Sequence, residues 1–257
     1  MPVPKLSVIV ITQDEAANIE AALDSVTWAD ELIVVDSGSS DETTRIAERF
    51  TKHVLTRNWE GYGVQKNYAA SLASHDWILS LDADERIPPE LAEEIQELLK
   101  TEPVKQGYRI PRVAFHLGRW IRSTDWYPDY QLRLYTRRLA SWNERRVHES
   151  VQVQGTTGTL RNEIHHLAYR DLSHHFMTMD RYTTLAAEEM SSQGQRGSLW
   201  KMVVHPPFAF IRNYLVRGGI RDGIPGFIVS AMNTYYVLLK FIKLWEFQHK
   251  RASGNDN

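Results

Sequence analysis

The sequence predicts an α/β fold in which a mainly parallel, right-handed wound sheet is followed by a helical C-terminal extension. Strands and helices alternate through the first hundred residues, as in parallel sheets closed by crossover helices. The early strands read as nearly unbroken apolar runs, as expected when helices cover both sheet faces. After Thr101 the pattern becomes shorter, aromatic and irregular, and from Ser173 it turns helical.

The first strand is expected over residues 6–11. Thr12-Gln-Asp-Glu15 has the capping-box pattern, and the helix it predicts places Ile19, Leu23 and Val26 on one face. A second strand over 31–35 ends at Asp36, and Ser39-Ser-Asp-Glu42 repeats the capping pattern before a short helix through Phe50. A third strand is expected over 53–56 and a third helix over 62–73. A strand from Trp77 delivers Asp82-Ala-Asp84-Glu85, and Pro88-Pro89 opens a helix with Leu91, Ile95, Leu98 and Leu99 inward. Strands are then expected over 107–111, 131–136 and 147–153. Helices follow over 182–190, over 200–215 with a break near Pro206-Pro207, and over 225–249. The expected division is a catalytic domain over 1–172 and a helical extension over 173–257, without a Gly/Ser linker.

The chain has 257 residues, 42% of them hydrophobic, enough for one α/β domain with appended elements. It has no cysteine, which excludes disulfides, thiolate-bound zinc and thiol nucleophiles and suits a reducing compartment. Residues 1–5 are too short for a signal peptide before the first strand, so none is expected. The net charge of −2 conceals an asymmetry: from Arg196 onward nine Lys/Arg stand against three Asp/Glu, leaving 21 against 29 before it. An acidic body with a basic, aromatic-rich tail is not the profile of a nucleic-acid binder. It fits a soluble enzyme whose last quarter meets an anionic surface.

Candidate functional residues collect at strand ends. Asp82 and Asp84, separated by one small residue, suit a hard divalent cation that wants oxygen ligands, and open α/β sheets bind ligands at the carboxyl ends of their strands. Asp36 could accept a hydrogen bond from a ribose hydroxyl or a base N–H, or could cap its own turn with Ser39 and Ser40. Lys66, in Gly61-Tyr-Gly-Val-Gln-Lys66-Asn67, brings a cation to the same edge unless it is a solvated helix-face lysine. Residues 12–15 sit at a helix N-terminus able to bind an anion.

Three segments, Ser7-Val-Ile-Val-Ile-Thr-Gln-Asp-Glu15, Ile33-Val-Val-Asp-Ser-Gly-Ser-Ser-Asp-Glu-Thr43 and Leu79-Ser-Leu-Asp-Ala-Asp-Glu85, resemble in order and spacing the signatures of family 2 glycosyltransferases. They lie within the first 90 residues. Asp-Ala-Asp-Glu-Arg-Ile-Pro, Gln131-Leu-Arg-Leu-Tyr135, Val147-His-Glu149 and Ile164-His-His-Leu-Ala-Tyr-Arg-Asp-Leu172 look most like the lipopolysaccharide-core β-glucosyltransferase subgroup. The resemblance implies a GT-A (Rossmann-like) fold and inversion at the anomeric carbon. It also implies a nucleotide-diphosphate-sugar donor, expected to be a UDP-sugar, with Mg2+ or Mn2+, and a glycolipid or oligosaccharide acceptor. By carry-over, Asp36 contacts the nucleoside, Asp82 the ribose or metal, and Asp84 the metal. Thr12 and Glu15 line the base pocket, with Lys66 near the nucleotide. His166, ahead of His165 and His148, is the expected further metal ligand. The base for the acceptor hydroxyl is expected to be Glu149, with Asp129 as rival; an ion pair with Arg133, Arg145 or Arg146 would occupy either without catalysis. A catalytically inert sugar-nucleotide-binding scaffold of the same fold is the alternative.

Residues 224–245 tempt a transmembrane reading, but Pro225, Gly226, Asn233, Lys240 and Lys243 interrupt the apolar run. A helix in the membrane interface, or one packed on protein, is expected instead. The expected location is cytoplasmic, peripheral on the inner face of the cytoplasmic membrane. The sequence leaves the oligomeric state open.

Overall fold

The computed structural model describes residues 3–101, 103–143 and 149–252. In chain order the elements are β1 (Leu6–Thr12), α1 (Ile19–Asp24), β2 (Glu31–Asp36), α2 (Thr43–Ala47), β3 (Val54–Thr56), α3 (Tyr62–Leu72), β4 (Trp77–Asp82), β5 (Glu85–Arg86) and α4 (Pro89–Lys100). They continue with β6 (Gly107–His116), β7 (Arg119–Ile121), β8 (Asp129–Thr136), β9 (Ala140–Trp142), β10 (Val151–Val153), β11 (Thr157–Thr159), β12 (Ile164–His166), α5 (Leu172–Ser192), α6 (Leu199–Ile211) and α7 (Gly223–Ala252). The chain forms two compact units, Met1–Val113 with Asp129–His166, and Ala114–Pro128 with Leu167–Asn257.

The first unit is a wound sheet of order β3-β2-β1-β4-β8-β6-β12-β5. Its β3, β2, β1 and β4 are mutually parallel, while β8 joins β4 and β6 antiparallel. The parallel strands bury side chains on both faces, so their apolar runs split by parity. Leu6, Val8 and Val10 pack with Ile19, Leu23, Leu91 and Ile95, whereas Ile9 and Ile11 pack with Ala69, Ile78 and Tyr135. The register sets Thr12 opposite Asp36 and Ile11 opposite Asp82, which aligns three strand ends at one edge.

Two local expectations fail for one reason. Neither capping box forms: α1 begins at Ile19 after Asn18, α2 at Thr43 after Glu42, and neither N-cap side chain accepts a bond. The hydroxyls and carboxylates of the two loops bind each other instead. The Ser39 hydroxyl accepts the Asp14 N–H (2.8 Å), Thr43 Oγ1 accepts the Glu15 N–H (2.8 Å), and Asp41 accepts the Ala16 N–H (3.0 Å). Asp14, at φ 54°, returns the tie by accepting the Ser40 N–H at 2.8 Å. Further along, β8 occupies its expected strand, while β7, β9, β11 and β12 are short pairings that periodicity over so few residues does not reveal. Of the strand expected over 147–153, Val147 and His148 lie outside the described residues.

The second unit takes in Ala114–Pro128, which the sequence reading kept with the sheet, and begins again at Leu167 rather than at 173. Polar bonds explain the placement. Asp222 accepts the Ser123 hydroxyl at 2.6 Å and the Arg122 N–H at 3.1 Å, and Asn213 accepts the Asp125 N–H at 2.7 Å. Helix α5 starts at an Asp171 cap and is longer than expected. Helix α6 passes through Pro206-Pro207 unbroken and gives way to a π-helical turn over Arg212–Val216. Proline's fixed φ is itself helical, so the ring costs two backbone bonds without forcing an end. Helix α7 packs on both: Lys243 reaches Asp180 (2.7 Å) and Thr184 (2.7 Å) of α5, beside buried Ala187, Phe241 and Leu244. A Cβ on Gly226 would stand 1.9 Å from the Gly219 carbonyl, so only glycine allows this approach. By length and composition Gly219–Lys250 is long and apolar enough to cross a membrane, which the sequence reading did not grant. Of the residues that interrupt its apolar run, Asn233 donates to Asn213 at 3.3 Å and Lys243 pairs with Asp180.

Two aromatic rings flank a buried histidine pair, with His175 Nδ1 3.2 Å from His116 Nε2, Tyr169 stacked on His175 at 4.1 Å, and Trp126 beside both. Burial pushes His175 down to about 4, helped by neighbouring His116 and His174, and burial also lowers His116. In the unfolded chain these groups take up protons near pH 6.5, so their stabilising contribution is complete above that pH and is lost as pH falls toward 4. Urea denaturation followed by circular dichroism is therefore expected to show the helical unit losing stability between about pH 7 and pH 5. In His175→Phe that slope should flatten.

Candidate active site

Asp36 closes β2 and is almost fully buried. One of its oxygens accepts the Gly38 and Ser39 N–H groups at 2.9 and 2.8 Å, and the other accepts the Ser39 hydroxyl at 2.5 Å. It thus shapes the β2–α2 turn, the local role weighed for it in the sequence. The Thr12 carbonyl accepts the Ser37 N–H at 2.9 Å, while its buried hydroxyl has no hydrogen-bond partner among the described residues. Glu15 accepts the Asn18 side-chain amide at 2.8 Å.

Beside these loops lies a chain of alternating charges. Lys66, on α3, is buried and not solvated: its ammonium stands 2.9 Å from Asp82 Oδ1 and 4.3 Å from the centre of the Trp142 ring. Asn67 fixes that ring's backbone from the same helix, donating to the Trp142 carbonyl at 2.9 Å and accepting its N–H at 2.8 Å. Arg133, on β8, bonds Asp82 Oδ2 at 2.5 Å and Glu85 Oε1 at 2.7 Å. Glu85, fully buried, also takes Arg112 Nη1 at 3.0 Å and accepts the Asp82 N–H at 3.0 Å. Arg112 continues to Asp129 Oδ2 at 2.7 Å, and Gln131 donates to the other Asp129 oxygen at 2.6 Å. Burial raises the Asp82 carboxyl, but Arg133 and Lys66 together overcome this and hold it well below the usual carboxylate range. Burial likewise opposes the charge on Arg133, and Asp82 and Glu85 outweigh it and raise its pKa.

Asp84 follows β4 and meets His166 of β12, with Nε2 3.1 Å from Oδ2. Burial raises the Asp84 carboxyl, and the hydrogen bond and charge of His166 more than offset it, so the pKa is lowered. His166 pairs with Glu85 across the β5–β12 ladder and His165 with Arg86. The strand's period of two therefore turns only one of the two histidines to Asp84. His148 lies outside the described residues. Glu149 is half-buried and has no hydrogen-bond or ion-pair partner among the described residues, whereas Asp129 is held by Arg112, an arginine absent from its expected partners.

No group of three His, Asp or Glu able to hold a metal ion occurs among the described residues. Of the three expected ligands, Asp84 and His166 come together, while both oxygens of Asp82 face cations. One carboxylate and one imidazole still fit a divalent ion completed by phosphate oxygens, since Mg2+ is commonly bound through one or two carboxylates plus substrate phosphates. The sequence reading missed Glu85, Arg112 and Arg133 as a connected set. Its signal was there in part: Arg133 alternates with Leu132 and Leu134, a charge at a strand position that must face inward or outward as a row with Gln131 and Tyr135.

The family described as glycosyl transferase family 2 matches residues 7–162, well over half the chain, and the chain belongs to that family. Its wound sheet is of GT-A type, and the protein is a glycosyltransferase. It is similar to the lipopolysaccharide core biosynthesis glycosyltransferase LpsC of Rhizobium meliloti (strain 1021), 28% identical across 98% of this chain and 97% of that one. An uncharacterized glycosyltransferase of Rickettsia felis is 29% identical across 94% and 90%. Among solved structures, S. aureus TarS 1-349 in complex with UDP-GlcNAc is 15% identical over 97% of this chain and 92% of that chain, at a TM-score of 0.49.

Removing one charge from the buried chain leaves others unpaired. Glu85→Gln is expected to lower stability by about 3–5 kcal/mol, the usual cost of breaking a buried ion pair. Urea denaturation measures it, and a loss below about 1 kcal/mol would show that the network does not depend on this charge.

Proposed function

We propose that this glycosyltransferase moves a hexose, with inversion, from a nucleotide-diphosphate sugar to a lipopolysaccharide-core or other cell-envelope glycan. The reading has it work at the inner face of the cytoplasmic membrane. It rests above all on the pairing of Asp84 with His166 beside the interlocked loops after β1 and β2. The first relative named above is a lipopolysaccharide-core enzyme, which supports the acceptor class.

In this reading the nucleoside lies over the β1 and β2 ends, where the free Thr12 hydroxyl and the Glu15 carboxylate line the base pocket and Asp36 keeps the loop in shape. Asp82, kept ionised by Lys66 and Arg133, offers its remaining acceptor capacity to the ribose. Asp84 and His166 would hold a Mg2+ or Mn2+ ion, exchanging their mutual hydrogen bond for ligation. When bound, such an ion neutralises charge growing on the departing diphosphate. Glu149 takes the acceptor hydroxyl's proton as that oxygen bonds the anomeric carbon, and the electron pair of the breaking C–O bond leaves with the nucleoside diphosphate. Asp129 is the weaker candidate, because Arg112 and Gln131 already occupy its two oxygens.

Titration calorimetry of Mn2+ with nucleoside diphosphate tests the metal pair. Asp84→Ala should abolish metal-supported binding and His166→Ala should weaken it, with metal-free nucleotide binding unchanged in both. Wild-type Mn2+ dependence in both variants would remove these residues as ligands.

Glu149→Gln should keep donor affinity and lose about a hundred- to ten-thousand-fold in kcat, since a base acts only in the transition state. If steady-state kinetics show that profile for Asp129→Asn and not for Glu149→Gln, the base assignment passes to Asp129.

A further inference from the structure

Helix α6 is apolar on two faces. Pro206 and Ala209 are buried within the helical unit, as is Asn213 of the π-helical turn that follows, and the opposite stripe of Trp200, Val204, Phe208 and Ile211, continued by Leu215 of that turn, repeats every three or four residues toward solvent. Its members are far from marginal: Trp200 is 72% exposed, Phe208 64% and Leu215 58%, and Ile224, after the following turn, is 75%. A contiguous stripe of this kind marks an interaction surface.

Charge decides what covers it. Between Arg196 and Phe227 the sequence holds Arg196, Lys201, Arg212, Arg217 and Arg221, and one carboxylate, Asp222. Asp222 is 5% exposed and its oxygens are taken by Ser123, the Arg122 N–H and Arg119. Arg212 and Arg217 share Asp125, which offsets one of their two charges. A second copy seated on this face by a two-fold axis would bring the same cations together with no exposed carboxylate on the stretch to meet them. An anionic lipid surface meets the cations and accepts the aromatic and aliphatic stripe, the combination by which helices lie in a membrane interface.

We propose that the outer face of α6, with the turn leading to Ile224, is a docking surface for an anionic bilayer, and that it inserts shallowly without crossing. This places membrane contact on α6 and the first turn of α7, and not on the length of α7 that packs on α5 and α6. The inference rests on the proposed cell-envelope glycan acceptor for its purpose. Its test uses neither donor nor acceptor, so binding and transfer fail separately.

The full chain is sedimented at low salt with vesicles of phosphatidylcholine alone or mixed with phosphatidylglycerol. Binding to the mixed vesicles is expected. The double variant Phe208→Ser/Leu215→Ser, whose changed side chains are exposed, should bind at least about tenfold more weakly while keeping the wild-type circular dichroism. In the wild type, brominated acyl chains should quench part of the tryptophan emission, and Trp200→Phe should lose that part. No binding to anionic vesicles, equal binding by the double variant, or quenching unaltered in Trp200→Phe would overturn the proposal. So would a wild-type dimer that the double variant dissociates, or vesicle-bound protein that alkaline carbonate fails to release, the mark of a spanning α7.

Discussion

Glu85 carries its carboxylate where no water reaches, and a charge so placed has to be matched by cations delivered from other strands. Arg133 comes from β8 and Arg112 from β6, and each then brings a second carboxylate, Asp82 or Asp129. Lys66 closes the far end from α3. The antiparallel half of the sheet is thereby locked onto the parallel half by an alternation of three cations and three anions. That lock fixes where Asp82 ends and so where Asp84 begins. Arg133 retains buried Nε and Nη1 donors without partners among the described residues, so there the network is short of acceptors and not of donors.

The two loops at the ends of β1 and β2 obey a related constraint. Their backbone N–H groups leave helical and strand ladders and must find acceptors. Ser39, Asp41, Thr43 and Asp14 supply them across the loops and not within each helix start. The Asp41 carboxyl is held below its ordinary value, with the Thr43 hydroxyl as the largest cause. Local hydrogen-bonding residues that would cap isolated helices here join two crossovers, which leaves the Thr12 hydroxyl open.

In the helical unit, burial and exposure are distributed unevenly. Buried polar groups such as Asp222, Asn213 and the His116–His175 pair are satisfied inside, while large apolar groups on α6 stay outside. Helix α6 buries only the small apolar face of Pro206 and Ala209 and leaves its larger side chains to solvent, against the usual preference of large apolar groups for the interior.

Several features were determined by the sequence alone. Apolar strands ending in Thr12, Asp36 and Asp82 specify a parallel sheet and its ligand edge, because period-two burial and crossover handedness leave few alternatives. The family signatures in residues 7–85 lie in these same strands and loops. Only the tertiary structure decided which partners the charged residues found. Lys66 became a buried cation and Asp82 was drawn to Lys66 and Arg133; Asp84 and not Asp82 paired with His166, and Arg112 claimed Asp129. Each pairing joins residues from 16 to 82 positions apart, as in Lys66–Asp82 and Asp84–His166. Periodicity reports which face a residue occupies, but an ion pair depends on distance across strands whose order no local pattern encodes.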